Sequence, residues 1–107
     1  MIKTMLLLEE KLEEGSVCYF DSSNIYACKY NANTKQLAII FKGAGQYVYE
    51  DITNYNFQRF KVAESQGKHF RNYIQNKFKF IKVEGKVNLE PILTLIEQLK
   101  KNKPAIE

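Results

Sequence analysis

At 107 residues, with 45% apolar and 26% charged side chains, the chain has the make-up of one globular domain and not of a disordered or membrane-spanning protein. No apolar run approaches the roughly 20 residues of a membrane helix. Met5 to Leu8 runs straight into Glu9 and Glu10, which argues against a secretory leader and sets the cytoplasm as the expected compartment. The net charge of +4 is concentrated in the middle: residues 58–86 hold eight Lys and Arg against two Glu, whereas residues 1–57 hold five Lys against seven acids. Such a segment can be the footprint of an anionic partner, and a solvated helix face gives the same pattern. Cys18 and Cys28 lie outside any CxxC spacing and are expected as free thiols.

In chain order, Ile2, Met5, Leu8 and Leu12 recur at helical spacing before Gly15, predicting a short amphipathic helix over 2–14. Ser16 to Phe20 reads as a brief extended segment, and Asp21-Ser22-Ser23-Asn24 as a turn. Ile25 to Tyr30 is a strand by its β-favouring residues, Asn31 to Thr34 a turn, and Gln36 to Lys42 a second strand. Gly43-Ala44-Gly45 is the next turn, followed by a third strand over Gln46 to Glu50. A three-residue loop there pairs Lys42 with Gln46 and Phe41 with Tyr47. That places Tyr47 and Tyr49 on the face of Leu37, Ile39 and Phe41, which most needs burial.

Thr53 is a fitting N-cap, with Ile52 before it able to staple onto Phe57, and Phe57, Phe60 and Ala63 form the apolar stripe of the helix that follows. Ser65-Gln66-Gly67 ends this helix and opens another whose stripe is Phe70, Tyr73 and Ile74. Phe78 to Val83 is a mixed run, extended or loosely helical. After Gly85, Asn88 caps an amphipathic helix striped by Leu89, Ile92, Leu93, Ile96 and Leu99. The chain divides into an N-terminal helical extension (1–20), a central domain (21–84) and a C-terminal amphipathic helix (85–107). The fold class is α+β: a three-stranded antiparallel meander covered by two helices, with a further helix at each end.

The order of Ser22-Ser23-Asn24-Ile25, Tyr30, Leu37-x-Ile39-x-Phe41, Tyr47-Val48-Tyr49 and Ala63-Glu64-Ser65-Gln66-Gly67-Lys68-His69-Phe70, with Asn72 and Ile74, resembles the KTSC domain. That family is named for its place at the C-terminus of some lysyl-tRNA synthetases and also occurs as small bacterial and phage proteins. The resemblance runs from about Ser22 to Phe80. It implies a role in RNA binding by association with the synthetase, no established activity, and nothing about the two terminal segments.

The main candidate site is the helix start at Ser65, Gly67, Lys68, His69 and Arg71. Free backbone N–H groups of a first turn, a glycine that admits close approach, and three basic side chains together suit a phosphate. The same residues also serve as a plain cap, link and solvated face. Lys42, Lys77 and Lys79 would extend the basic surface. His69, the single histidine, could act as a general base, but no second acid or base stands at a telling spacing, and no metal-ligand cluster or cofactor motif is present. The expected function is therefore a non-catalytic binding module for RNA, another nucleic acid or a nucleotide. The alternative is a protein-interaction or structural module, such as a phage or accessory protein, that uses its terminal helices. A monomer or a weak homo-oligomer through the C-terminal helix is expected, with no membrane contact.

Overall fold

A computed structural model describes residues 5–43, 45–85 and 88–101. The described elements are β1 (Leu6–Lys11), β2 (Gly15–Phe20), β3 (Ile25–Asn31), β4 (Gln36–Phe41), β5 (Gly45–Tyr49), α1 (Asn54–Lys61), α2 (Gln66–Tyr73), β6 (Phe80–Lys82) and α3 (Glu90–Lys101). The strands form one six-stranded antiparallel sheet in the order β1-β2-β3-β4-β5-β6. The α+β class stands. The three-stranded meander is only the centre of a wider sheet.

The helix expected over 2–14 is instead a β-hairpin; Ile2 lies outside the described residues. Leu12 and Gly15 exchange backbone hydrogen bonds at 2.8 and 3.3 Å across Glu13-Glu14, so Gly15 opens a strand where a helix C-cap was expected. A Cβ on Gly15 would overlap the Tyr30 carbonyl oxygen, so only glycine lets β2 lie this close to β3. Tertiary contacts override the helical propensity. β2 already carries Cys18 and Phe20 into the core, and its outer backbone edge needs a partner that β1 supplies.

The core lies between one sheet face and the helix pair. Cys18, Phe20, Ile25, Cys28, Tyr30, Leu37, Ile39 and Tyr49 meet Ile52, Phe57, Phe60, Phe70 and Ile74 there. Tyr30 stacks on Phe57 with ring centroids 4.4 Å apart, and its hydroxyl donates to the Ile52 carbonyl at 2.7 Å, pinning the start of α1 to the sheet. Thr53 Oγ1 accepts from the Asn56 N–H at 3.2 Å, the expected cap, and Ile52 and Phe57 are both buried behind it.

The β4–β5 ladder pairs Phe41 with Gly45, Ile39 with Tyr47 and Leu37 with Tyr49. It has slid by two positions from the expected register, which keeps each side chain on its expected face. Gly43 and Gly45 take φ of 77° and 90°, conformations that cost other residues dearly. With no side chain on Gly45, Phe41 meets Tyr47 diagonally, edge to face at 5.8 Å. Tyr49 is 5% exposed and Tyr47 is partly buried, so neither is an open platform. Tyr73, expected in a buried stripe, is exposed.

After Asn88, whose Oδ1 accepts from the Glu90 N–H at 3.2 Å, α3 forms as expected. It packs on β1 and β3, where Ile96 and Ala27 are buried apart from the main core, and Lys100 pairs with Asp21 at 3.3 Å. No helix among the described residues is long and apolar enough to cross a membrane.

Candidate functional site

The helix pair is joined by a tight polar link. Gln66 is fully buried, and its Nε2 donates to the carbonyls of Phe60 (3.3 Å), Lys61 (3.4 Å) and Ala63 (3.0 Å), satisfying the end of α1. Ser65 Oγ accepts from the Lys68 N–H at 3.2 Å and caps α2. Gly67 is buried against Asn24, whose side-chain amide a Cβ would strike. The Asn24 backbone, and with it the Cβ, is held in place. Its N–H donates to Ser22 Oγ at 3.2 Å, and its carbonyl accepts from the Lys42 N–H at 3.0 Å.

These contacts reassign two candidate residues. Gly67 faces the protein, not an approaching anion, and Ser65 has its hydroxyl committed to the cap. Glu64 also sits at this helix start, lining the cavities on either side of it, and a carboxylate there suits the dipole and repels phosphate. Gly67→Ala is accordingly expected to cost about 1–3 kcal/mol by overpacking against Asn24, lowering Tm by roughly 5–15 °C in a thermal melt followed by circular dichroism. A helical glycine kept only for ligand approach would instead raise Tm on substitution by alanine.

The outer surface of the pair offers a different constellation. Tyr55 and Arg59 stand one turn apart on α1, and His69 and Tyr73 one turn apart on α2. The Arg59 guanidinium lies 5.6 Å from the Tyr55 ring centroid and 5.7 Å from that of Tyr73, and donates to Tyr55 Oη at 3.0 Å. The His69 and Tyr73 rings are 4.6 Å apart at 35°. Tyr55 and Tyr73 are 66% and 53% exposed, unusual for large rings held in fixed contacts. Among the described residues no carboxylate pairs with Arg59, so its remaining N–H donors face solvent. Burial first, and the Arg59 charge second, push the His69 pKa below its ordinary value, so near neutral pH the ring is an uncharged stacking and hydrogen-bonding surface.

His69 and Tyr73 are shared by two adjoining hollows. The smaller is bounded by Tyr55, Asn56 and Arg59, and the larger, of about 460 Å³, by Glu64, Ser65, Lys68 and Asn72, with Glu64 at its helix-start end. The two adjoin at these shared side chains along the α1–α2 surface and are together termed the α1–α2 groove. Of the candidates read from sequence, Ser65, Lys68 and His69 line it. Lys42 lines a neighbouring cavity of about 400 Å³ with Asp21, Ser22, Ser23 and Glu64, its Nζ 5.2 Å from the Tyr26 ring centroid. Arg71 is exposed on α2, and Lys77 and Lys79 follow that helix; none of the three lines the groove.

Other chemistry has little footing. Cys18 and Cys28 face each other across β2 and β3, both buried, and burial together with the neighbouring Cys18 pushes the Cys28 thiol well up. A thiol so placed is a poor nucleophile. Among the described residues no three His, Cys, Asp or Glu side chains stand together as a metal site.

The residues that build the polar link and the core coincide with a known domain. Residues 21–78 match the model of the KTSC domain. The chain belongs to the KTSC domain family. This KTSC domain is also similar to the crystal structure of a KTSC domain protein from Yersinia pestis, with 26% identity and a TM-score of 0.59. The match covers 72% of this chain and 97% of that one. No curated protein matches the chain. The hairpin of β1 and β2, β6 and α3 all fall outside the family match, yet all are built onto the KTSC sheet.

Proposed function

We propose that this KTSC domain binds single-stranded nucleic acid, without acting on it chemically, along the α1–α2 groove. The observation that carries the reading is the exposed Tyr55–Arg59–Tyr73 array beside His69. Two open rings can stack unpaired bases, while Arg59 and Lys68 meet the phosphates between them. Such a surface is tolerant of sequence, since every base has a face to stack. Arg71, Lys77 and Lys79 add to the long-range positive field of residues 58–86 without touching the bases.

Fluorescence anisotropy with labelled single-stranded RNA and DNA tests it. With two phosphate contacts, affinity is expected to fall by at least about sevenfold between 50 and 200 mM salt. Arg59→Glu combined with Lys68→Glu should abolish binding, whereas Arg71→Glu should weaken it only slightly. Binding indifferent to salt, or untouched by the double reversal, would refute the proposal. The alternative role through a terminal helix has less support, because α3 packs on β1 and β3 and buries Ile96 there, leaving Leu93 as the exposed member of its stripe.

A further inference from the structure

On the other side of α2, five aromatic rings enclose a cleft that the groove does not use. Phe41, Tyr47, Tyr49, Phe70 and Phe80 line a cavity of about 310 Å³, within the range of small-molecule sites, which begins near 300 Å³. The rings meet at 5.0–5.8 Å and none is stacked parallel on another: Phe41 and Tyr47 are at 83°, Tyr49 and Phe70 at 73°, and Tyr47 and Phe80 at 57°. Edge-to-face packing covers a ring face with its neighbour's edge, so a ligand in the cleft meets a lining of mixed ring faces and edges. Tyr49 and Phe70 are the buried floor, and Phe80, 53% exposed on the short edge strand β6, is the outer wall.

The cleft is not purely apolar. Gln75 and Asn76, both exposed, also line it, Asn76 at φ 65°. Among the described residues neither carboxamide, nor the hydroxyl of Tyr47 or Tyr49, has a hydrogen-bond partner. Lys82 Nζ stands 6.0 Å from the Tyr47 ring centroid, placing a cation at the rim. Aromatic faces, two carboxamides that can each donate and accept, and a nearby cation match a flat heteroaromatic ring with a polar edge and an anionic substituent.

We propose that this cleft binds one nucleobase, presented by a nucleoside or nucleotide, between the aromatic walls with its polar edge on Gln75, Asn76 and the tyrosine hydroxyls. The site shares no residue with the α1–α2 groove and stands or falls without it.

NMR titration of the full chain with the four ribonucleosides and their 5′-monophosphates is the test. At least one base is expected to saturate, shifting the signals of Tyr47, Tyr49, Phe70 and Gln75, with the monophosphate binding more tightly than its nucleoside through Lys82. Tyr47→Phe with Tyr49→Phe keeps both rings and should weaken binding roughly tenfold by removing two hydrogen bonds. Phe80→Ala, at an exposed position, should weaken it at least as much, while Tyr55→Ala with Tyr73→Ala should leave it unchanged. The assignment is overturned if no nucleoside or monophosphate saturates up to its solubility. It is also overturned if toluene binds as tightly as the nucleosides, or if the two hydroxyl deletions have no effect.

Discussion

Replacing Tyr55 and Tyr73 together with alanine is expected to weaken single-stranded nucleic-acid binding about a hundredfold, since each stacked ring contributes on the order of 1–3 kcal/mol. Both rings are more than half exposed, and their fixed contacts are with Arg59 and His69, themselves at the surface of the helix pair. Stability should therefore change little, by roughly 0.5 kcal/mol per site. The salt slope separates the two halves of the surface. In the double tyrosine variant the residual binding should keep its salt dependence, because Arg59 and Lys68 remain. In Arg59→Glu/Lys68→Glu that dependence should vanish with the affinity. Anisotropy titrations at three salt concentrations read both effects. If the tyrosine pair can be removed without loss, the aromatic array is ornamental and the groove is not a stacking site.

Lys61→Met is expected to destabilise the fold by about 3 kcal/mol at neutral pH by leaving the Glu9 carboxylate half-buried without the ammonium on its Oε1. Lys61, 8% exposed at the end of α1, reaches Glu9 Oε1 at 3.0 Å. Glu9 Oε2 accepts from Ser16 Oγ at 2.8 Å and pairs with Lys11 at 3.0 Å. Burial alone would raise the Glu9 pKa, but the hydrogen bonds from Ser16, Lys61 and Lys11 outweigh it and hold the carboxyl at about 2, against an ordinary 4.5.

Because the folded protein binds this proton less tightly than the unfolded chain, the stabilisation is complete above pH 4.5. It is lost as pH falls through about 2. Allowing for solvent at the rim of the pair, the amount is on the order of 2 kcal/mol. Urea unfolding of the wild type should show this decline between those limits, and Lys61→Met should move it to higher pH. Adding Glu9→Gln to Lys61→Met should recover most of the loss. A Lys61→Met protein as stable as the wild type, with an unmoved acid limb, would show that the pair holds nothing together.

That pair also explains why the N-terminal segment misleads when read as sequence. Met5, Leu6, Leu7 and Leu8 followed by two Glu suit a helix by propensity. The segment becomes a strand because β2 offers an open edge, and because Glu9, placed opposite Cys18, can reach Lys61 some 50 residues later in the chain. No local pattern encodes a partner that far away. The same limit applies to β4–β5. Alternation of apolar residues put Tyr47 and Tyr49 on the buried face, and they lie there. The exact pairing depended on Gly45 entering the ladder, a choice made by packing around Phe41.

The candidate site was legible only in pieces. Lys68 and His69 were visible as basic residues at a helix start. Tyr55 and Arg59, and likewise His69 and Tyr73, stand at the i,i+4 spacing that puts side chains on one helix face, a signal present in the sequence. What could not be read was that the two pairs face each other across α1 and α2. Nor could it be seen that Tyr73 turns outward while Phe70 and Ile74 take the core.

The sequence by itself determined the α+β class, the central strands and their buried face, the three helix caps at Thr53, Ser65 and Asn88, and the KTSC family, because each is written in local periodicity, turn chemistry or ordered motif. The tertiary structure alone decided that the N-terminal hairpin completes the sheet, that Gly67 packs against Asn24, and that the exposed aromatic pairs of α1 and α2 come together. Those outcomes rest on contacts between residues far apart in the chain, where burial and steric fit outweigh what any short stretch prefers.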